Sequence, residues 1–505
     1  MKLVRFSSSL AVPTLLALVA TACGSSGSPG AVGKEGAPGA PGEPAETTEQ
    51  AEIAINLVEP HVGLLARRLE VTIGVDGKLD LSKAEVDFGD GVEVVKVTPQ
   101  GPALVATIEI APNARLGKHD VVVDVDGRTL TAKHGFVVAV HLDAKVGAGK
   151  AEQGGLVRVD ISNRDQIWFD AENFTLFPLV GQKDPSLVGF SYQGFTETDG
   201  SVVFLGDPLA KTGPLGFLGF NDPRDENSAS YLTAMDAVTV AARKPVELAA
   251  NSTTETVLED ELATGFFSVD LAPQPNEALL VDTLAAVPAD SSMSPLLLAY
   301  PESGTVADLL DQGRDDPGFP LFGIPATEAR VAWPVTAASK AYLIVLDAGL
   351  GHGPSTKTSL SHSAVRAQIF KETANPHATG DTAQGLGSLP GTGVAVPGRV
   401  VTGELTAAEE IDVYRFTGLS ASNPTDMLVS VIGDTDVVIR VDTVPTFDSD
   451  HLVEISRGGQ AGMGVTAGFV GQNRYIEVAP MPDSKKPLGK YTLGIKRIAP
   501  VVTPR

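Results

Sequence analysis

The chain has 505 residues, 43% of them apolar, and a formal charge of −24. So acidic a chain repels phosphate backbones, and no Lys/Arg cluster with interleaved aromatics offsets the repulsion, so nucleic acid is excluded as a partner. A single cysteine permits no internal disulfide, and the length allows three or four domains whose cores must rest on apolar burial alone.

Residues 1–22 read as a secretory signal. Lys2 and Arg5 precede the apolar run LAVPTLLALVA (10–20), which is too short to span a bilayer, and Ala20-Thr21-Ala22 supplies the small residues that a signal peptidase needs. Ala20-Thr21-Ala22-Cys23 resembles the lipobox of bacterial lipoproteins, with Ala20 where that family usually has Leu. The resemblance implies acylation of Cys23, and several acyl chains at about 0.8 kcal/mol per buried CH₂ anchor a protein stably. Cleavage after Ala22 without acylation gives the same mature end and a secreted protein. The lone thiol favours lipid, because an exported cysteine with no partner is a liability. By the same resemblance, Gly24 in place of aspartate points to the outer membrane, facing either the periplasm or the cell surface.

Glycine then occupies every third position from Gly24 to Gly42. This is the collagen pattern, in which only glycine fits the axis of three wound strands. Two arrangements fit the 24–44 tract: a triple helix, hence a homotrimer, or a Pro/Gly-rich tether. Either one lifts the rest of the chain by about 65 Å at ~3.1 Å per residue. The polar linker runs on to residue 52.

From Ile53 the text changes to short alternating runs, LEVTI (69–73), VEVVKV (92–97), LVATIEI (104–110) and HDVVVDV (119–125), punctuated by Asp76-Gly77, Asp90-Gly91 and Asp126-Gly127. Strands at this spacing predict a β-sandwich over 53–140. VEPHVG (58–63), VDFGDG (86–91), APNARLGKHDVVV (111–123) and GFVV (135–138) resemble the immunoglobulin-like IPT/TIG domains, which implies a fold and says little about function. Residues 141–246, with GGLVRVDI, WFDAENFTLFPL and SVVFLG, read as a second sandwich. Over 247–372, FFSVDLAPQPNEALLVDTLA (266–285), PLLLAYPES (295–303) and AYLIVLDAG (341–349) echo the strand order of the segment that follows, with TVADLLDQG (305–313) as the one short helix.

That following segment, 373–499, contains GRVVTGEL (398–405), EEIDVYRF (409–416), MLVSVIG (427–433), VVIRV (437–441), RYIEVAP (474–480) and GKYTLGIKRI (489–498). It resembles the bacterial pre-peptidase C-terminal domain, whose hallmark is matched by Glu410, Asp412, Tyr414 and Phe416, with Glu410 where aspartate is commoner, and by Tyr491. Period-two alternation puts Asp412, Tyr414 and Phe416 on one face, which places both rings in the core. Residues 500–505 form a tail. The fold class expected is therefore all-β: tandem Ig-like and jelly-roll-like β-sandwiches behind a signal peptide and a collagen-like or polyproline stalk.

Motifs for chemistry are sparse. Neither HExxH nor a strand-borne GxSxG occurs. His352 and His362 lie in GLGHGPSTKTSLSHS beside serines, which reads as a solvated loop ahead of a Ser/His pair, and Glu328 and Arg330 read as surface residues. No cofactor is expected. Calcium is the one ion to weigh: DFGDG (87–91), DVDG (124–127) and DTD (434–436) set carboxylates beside turns, but Asp-Gly is equally the signature of a hairpin. Among them Asp434 and Asp436 are the best calcium candidates. The functional expectation is a non-enzymatic, lipid-anchored surface protein that presents β-sandwiches to an unidentified protein or glycan of the envelope or exterior. The rivals are a hydrolase or its accessory subunit with its site in 141–372, and a purely structural spacer.

Overall fold

The computed structural model describes residues 53–163 except 78, 201–303 except 223, 224 and 226, 327–347, 356–373, 377–389, 398–419, 425–447 and 472–498 except 483 and 485, with the backbone of strands at 175–179, 190–196, 311–314, 453–457 and 461–469. The signal, Cys23 and the glycine tract lie outside the described residues. The regular secondary structure among them is almost wholly strand, arranged in six sheets. No helix among them is long and apolar enough to cross a membrane. The chain is a series of tandem β-sandwiches, and four filled cores can be followed along it.

The first core shows how the alternation is spent. In Ala103–Ile110 the residues Leu104, Ala106, Ile108 and Ile110 point inward, and in Gly117–Val125 so do Val121, Val123 and Val125. Phe88 and Phe136 meet edge to face across it, 5.1 Å between centroids. Asp126 and Gly127 both take positive φ, 50° and 72°, and join Val125 to Arg128 in a two-residue hairpin. Of the two aspartates of DVDG, Asp126 is thus a turn residue, while Asp124 lies in the strand and accepts a hydrogen bond from Thr129 Oγ1.

The sheets do not stop where one core ends. Arg128–His141 lines the first core and then pairs in parallel with Ser230–Leu232, so a single eight-stranded sheet also serves the second core, which contains Val157, Val159, Phe204, Phe217 and Tyr231. The second and third sandwiches meet through apolar outer faces, Leu156, Val203 and Leu205 against Phe266, Leu298 and Ile344. Arg158 pairs with Glu261 at 2.8 Å along this seam, and Arg243 donates to the Thr264 carbonyl at 2.7 Å. The third core is built on Val281, Leu297, Trp333, Leu343 and Leu360. The fourth gathers Tyr414, Phe416, Val429, Ile439, Ile476, Tyr491 and Leu493.

The helix expected over 305–313 is not formed in its described part: Asp311–Arg314 is a strand paired antiparallel with Pro295–Tyr300. Adding a strand to a sheet already assembled satisfies its backbone at once, whereas a helix of that length is marginal without packing. Residues 304–310 lie outside the described residues.

Candidate functional site

The most concentrated polar chemistry in the fourth sandwich grows from the strand Asp412–Thr417, which runs between Arg474–Pro480 and Gln384–Ser388. Asp412, Tyr414 and Phe416 share its inward face, at 2, 0 and 0% exposure. Tyr491 comes from the opposing sheet, so its hydroxyl reaches across the core to donate to Asp412 Oδ2 at 2.7 Å. With that proton committed, Tyr414 donates to the Tyr491 oxygen, 2.5 Å away. Burial raises both phenols well above their ordinary range, so both stay protonated.

His377 closes the group from the other side. Its carbonyl accepts from Val413 N at 2.8 Å, which ties the incoming loop to the strand, and its Nε2 stands 3.2 Å from Asp412 Oδ1. Burial pushes the Asp412 carboxyl up to about 6, against the Tyr491 hydrogen bond, with the Glu372 charge adding to the rise. Glu372 is held by Glu404 N, which donates to its Oε2 at 2.8 Å. Among the described residues, Glu372, His377 and Asp412 are the one set of three metal-ligating side chains whose donor atoms lie within 4.8 Å of one another. Two carboxylates and an imidazole form a mixed donor set, of the kind that suits zinc or manganese better than the all-oxygen shell of calcium.

Glu410 stands apart from this group. Its Oε2 accepts from Thr406 Oγ1 at 2.8 Å, from Ala407 N at 3.0 Å and from Thr406 N, fastening the turn before the strand. Partial burial opposes its charge, but these hydrogen bonds hold its carboxyl below the ordinary value. Asp434 and Asp436 are not brought together as ligands. Asp434 is exposed, and the Asp436 carboxylate is taken by Lys486 Nζ at 3.3 Å and Ser484 Oγ at 2.7 Å.

Two expectations about the third sandwich are corrected. His362 is not in a solvated loop: it lies in the strand Thr356–Lys371, 1% exposed, with Nδ1 2.9 Å from Thr283 Oγ1. Burial pushes its imidazole down to about 4, the Asp282 charge opposing. Its partner His352 lies outside the described residues. Arg330 is likewise no free surface residue, since it clasps the buried Asp282 with Nε at 2.8 Å and Nη2 at 2.6 Å. Asp282 was legible in principle: an aspartate inside the apolar run ALLVDTLAAV has to find a cation.

No family model matches the chain, and no curated protein is similar to it. Solved structures similar to parts of it include the pre-peptidase C-terminal domain of a collagenase from Bacillus anthracis, 13% identical, over 24% of this chain and 95% of that one, with a TM-score of 0.19. SGBP-B of the Bacteroides ovatus mixed-linkage glucan utilization locus, solved in complex with a mixed-linkage heptasaccharide, is 10% identical over 60% of this chain and 73% of its own, with a TM-score of 0.13. The tandem Ig repeats of Dlar are 13% identical over 36% and 92%, with a TM-score of 0.16.

Proposed function

We propose that this chain is a lipid-anchored surface protein whose stacked β-sandwiches bind a protein or glycan of the cell envelope or exterior. Cys23 is the anchor, the 24–44 tract is the spacer, and the sandwiches beyond residue 53 are the presented body. The supporting observation is the stack itself: four filled cores joined face to face or through shared sheets. The hydrolase alternative would draw on 141–372, where His362 is shut inside the third core and Asp282 is neutralised by Arg330.

The test has two readouts. Cys23→Ser should move the protein from the membrane fraction to the soluble one, and retention of the variant would remove the anchor from the proposal. The released chain should then bind back to the surface of intact parent cells saturably. Release without saturable rebinding would overturn the binding role and leave a spacer.

A further inference from the structure

The strand Thr356–Lys371 is sixteen residues long, more than its own sandwich uses. Its last residues, Gln368–Lys371, pair in parallel with Arg399–Thr402, and that strand pairs antiparallel with Lys490–Ile498. One sheet therefore carries both the third core and the fourth.

Side-chain alternation makes the two parts of this sheet face each other. Along Glu277–Ala286, Val281 and Ala285 enter the third core, so Ala278, Leu280 and Asp282 point away from it. Along Lys490–Ile498, Tyr491, Leu493 and Ile495 enter the fourth core, so Gly494 and Lys496 point away from that. These outward faces are in contact. A Cβ on Gly494 would lie 2.7 Å from Leu280 Cδ1, and one on Gly398 2.7 Å from Leu280 Cδ2, so neither position has room for a side chain. Ala278, Leu280, Val365, Ala367 and Val400 form a dry patch around them.

In the middle of the seam sits an ion cluster built from both sides. Asp282 and Arg330 belong to the third sandwich, and Lys496, on the last strand of the fourth, places its Nζ 3.4 Å from Asp282 Oδ2. Asp282 is 3% exposed and Lys496 1%. A lysine this deeply buried is tolerated only against a carboxylate, because an uncompensated ion out of water is strongly unfavourable. The seam closes fully only with both sandwiches in place.

We infer that the third and fourth sandwiches are a single cooperative unit, without a hinge between them, latched by Asp282 between Arg330 and Lys496. Residue-resolved hydrogen exchange on the full chain carrying Cys23→Ser tests it. Phe416→Ala touches only the fourth core and should accelerate exchange there by roughly two-hundred-fold to five-thousand-fold. If the unit is one, Glu277–Ala286 and Gly265–Leu271 in the third sandwich accelerate by the same factor, while Arg68–Val75 in the first does not change. Acceleration confined to the fourth sandwich overturns the inference. In an Asp282→Asn background the same Phe416→Ala change should no longer reach the third sandwich, and undiminished propagation would take the latch away from Asp282. Should Asp282→Asn fail to fold, Val269→Ala in the third core supplies the reciprocal reading: it must accelerate exchange in Arg474–Pro480, and exchange there at the parent rate overturns the unit.

Discussion

Asp412→Asn isolates one carboxylate that the fourth sandwich buries beside two tyrosines. Burial lifts that carboxyl from its ordinary 3.8 to about 6. A raised folded value means that the native protein holds the proton more tightly than the unfolded chain does. The resulting stabilisation is complete below 3.8 and is lost as the pH climbs through about 6. In full it amounts to about 3 kcal/mol, of which about 1.3 kcal/mol falls between pH 7 and pH 5. Asparagine keeps the shape and cannot titrate. Opening free energies of the Asp412–Thr417 strand, measured by hydrogen exchange at the two pH values, should therefore rise by about 1.3 kcal/mol more on acidification in the parent than in Asp412→Asn. The comparison within one strand cancels every titrating group that Asp412 does not influence, which leaves Asp412 and its neighbours Glu372, His377 and Glu410. A parent-minus-variant difference that does not change with pH, or that changes in the opposite direction, would refute the reasoning.

Three further outcomes are expected. Tyr414→Ala and Phe416→Ala should each cost the fourth sandwich about 3 to 5 kcal/mol in denaturant unfolding and leave the first sandwich unaffected, since both rings are fully buried; losses below ~0.5 kcal/mol would contradict their placement. His362, depressed from 6.5 to about 4, contributes stability that is present above pH 6.5 and lost as the pH falls toward 4, up to about 3 kcal/mol; His362→Gln should abolish that part of the acid sensitivity of the third sandwich, read by the same unfolding curves. Cross-linking of intact cells should capture trimers of the parent and none of Gly33→Val, because a side chain at the axis disrupts a triple helix; a parent that cross-links only as a monomer makes the tract a tether.

The class of fold was readable because strand alternation is local. Leu104, Ala106 and Ile108 declare their face within one strand, and so do Asp412, Tyr414 and Phe416, which is why the two rings were placed in the core from spacing alone. Asp126-Gly127 declares its hairpin in two residues. What spacing cannot display is a partner tens to hundreds of positions away. Arg330 looks like a surface residue until Asp282 is set beside it, and Lys496 looks like the polar half of an ordinary alternating strand until the third sandwich covers it. His362 follows the same rule: a Ser/Gly-rich neighbourhood suggests a loop, but pairing with Thr283 and burial of Leu360 beside it make a strand. His377 is one scattered histidine in the sequence and draws no role from it, because its chemistry comes from Asp412 and Glu372, and the tail domain's spacing says nothing about a residue before the strand.

The position of Lys490–Ile498 has a bearing on when the protein can fold. It is the last described strand of the chain, yet it lies inside its sheet, with Arg399–Glu404 on one side and Thr425–Gly433 on the other. Until it emerges, the Arg399–Glu404 and Thr425–Gly433 strands each keep an unpaired edge, Asp282 lacks one of its two cations, and the Leu280 patch stays wet. Completion of the third and fourth sandwiches must therefore await the synthesis of this strand. Under the proposed reading, in which the chain is exported, this delay is useful, since a sandwich completed early would block its own passage. The same delay leaves unpaired strand edges exposed until Lys490–Ile498 pairs, the state most open to aggregation, and so assigns to that strand both the closing of the structure and the ending of that hazard.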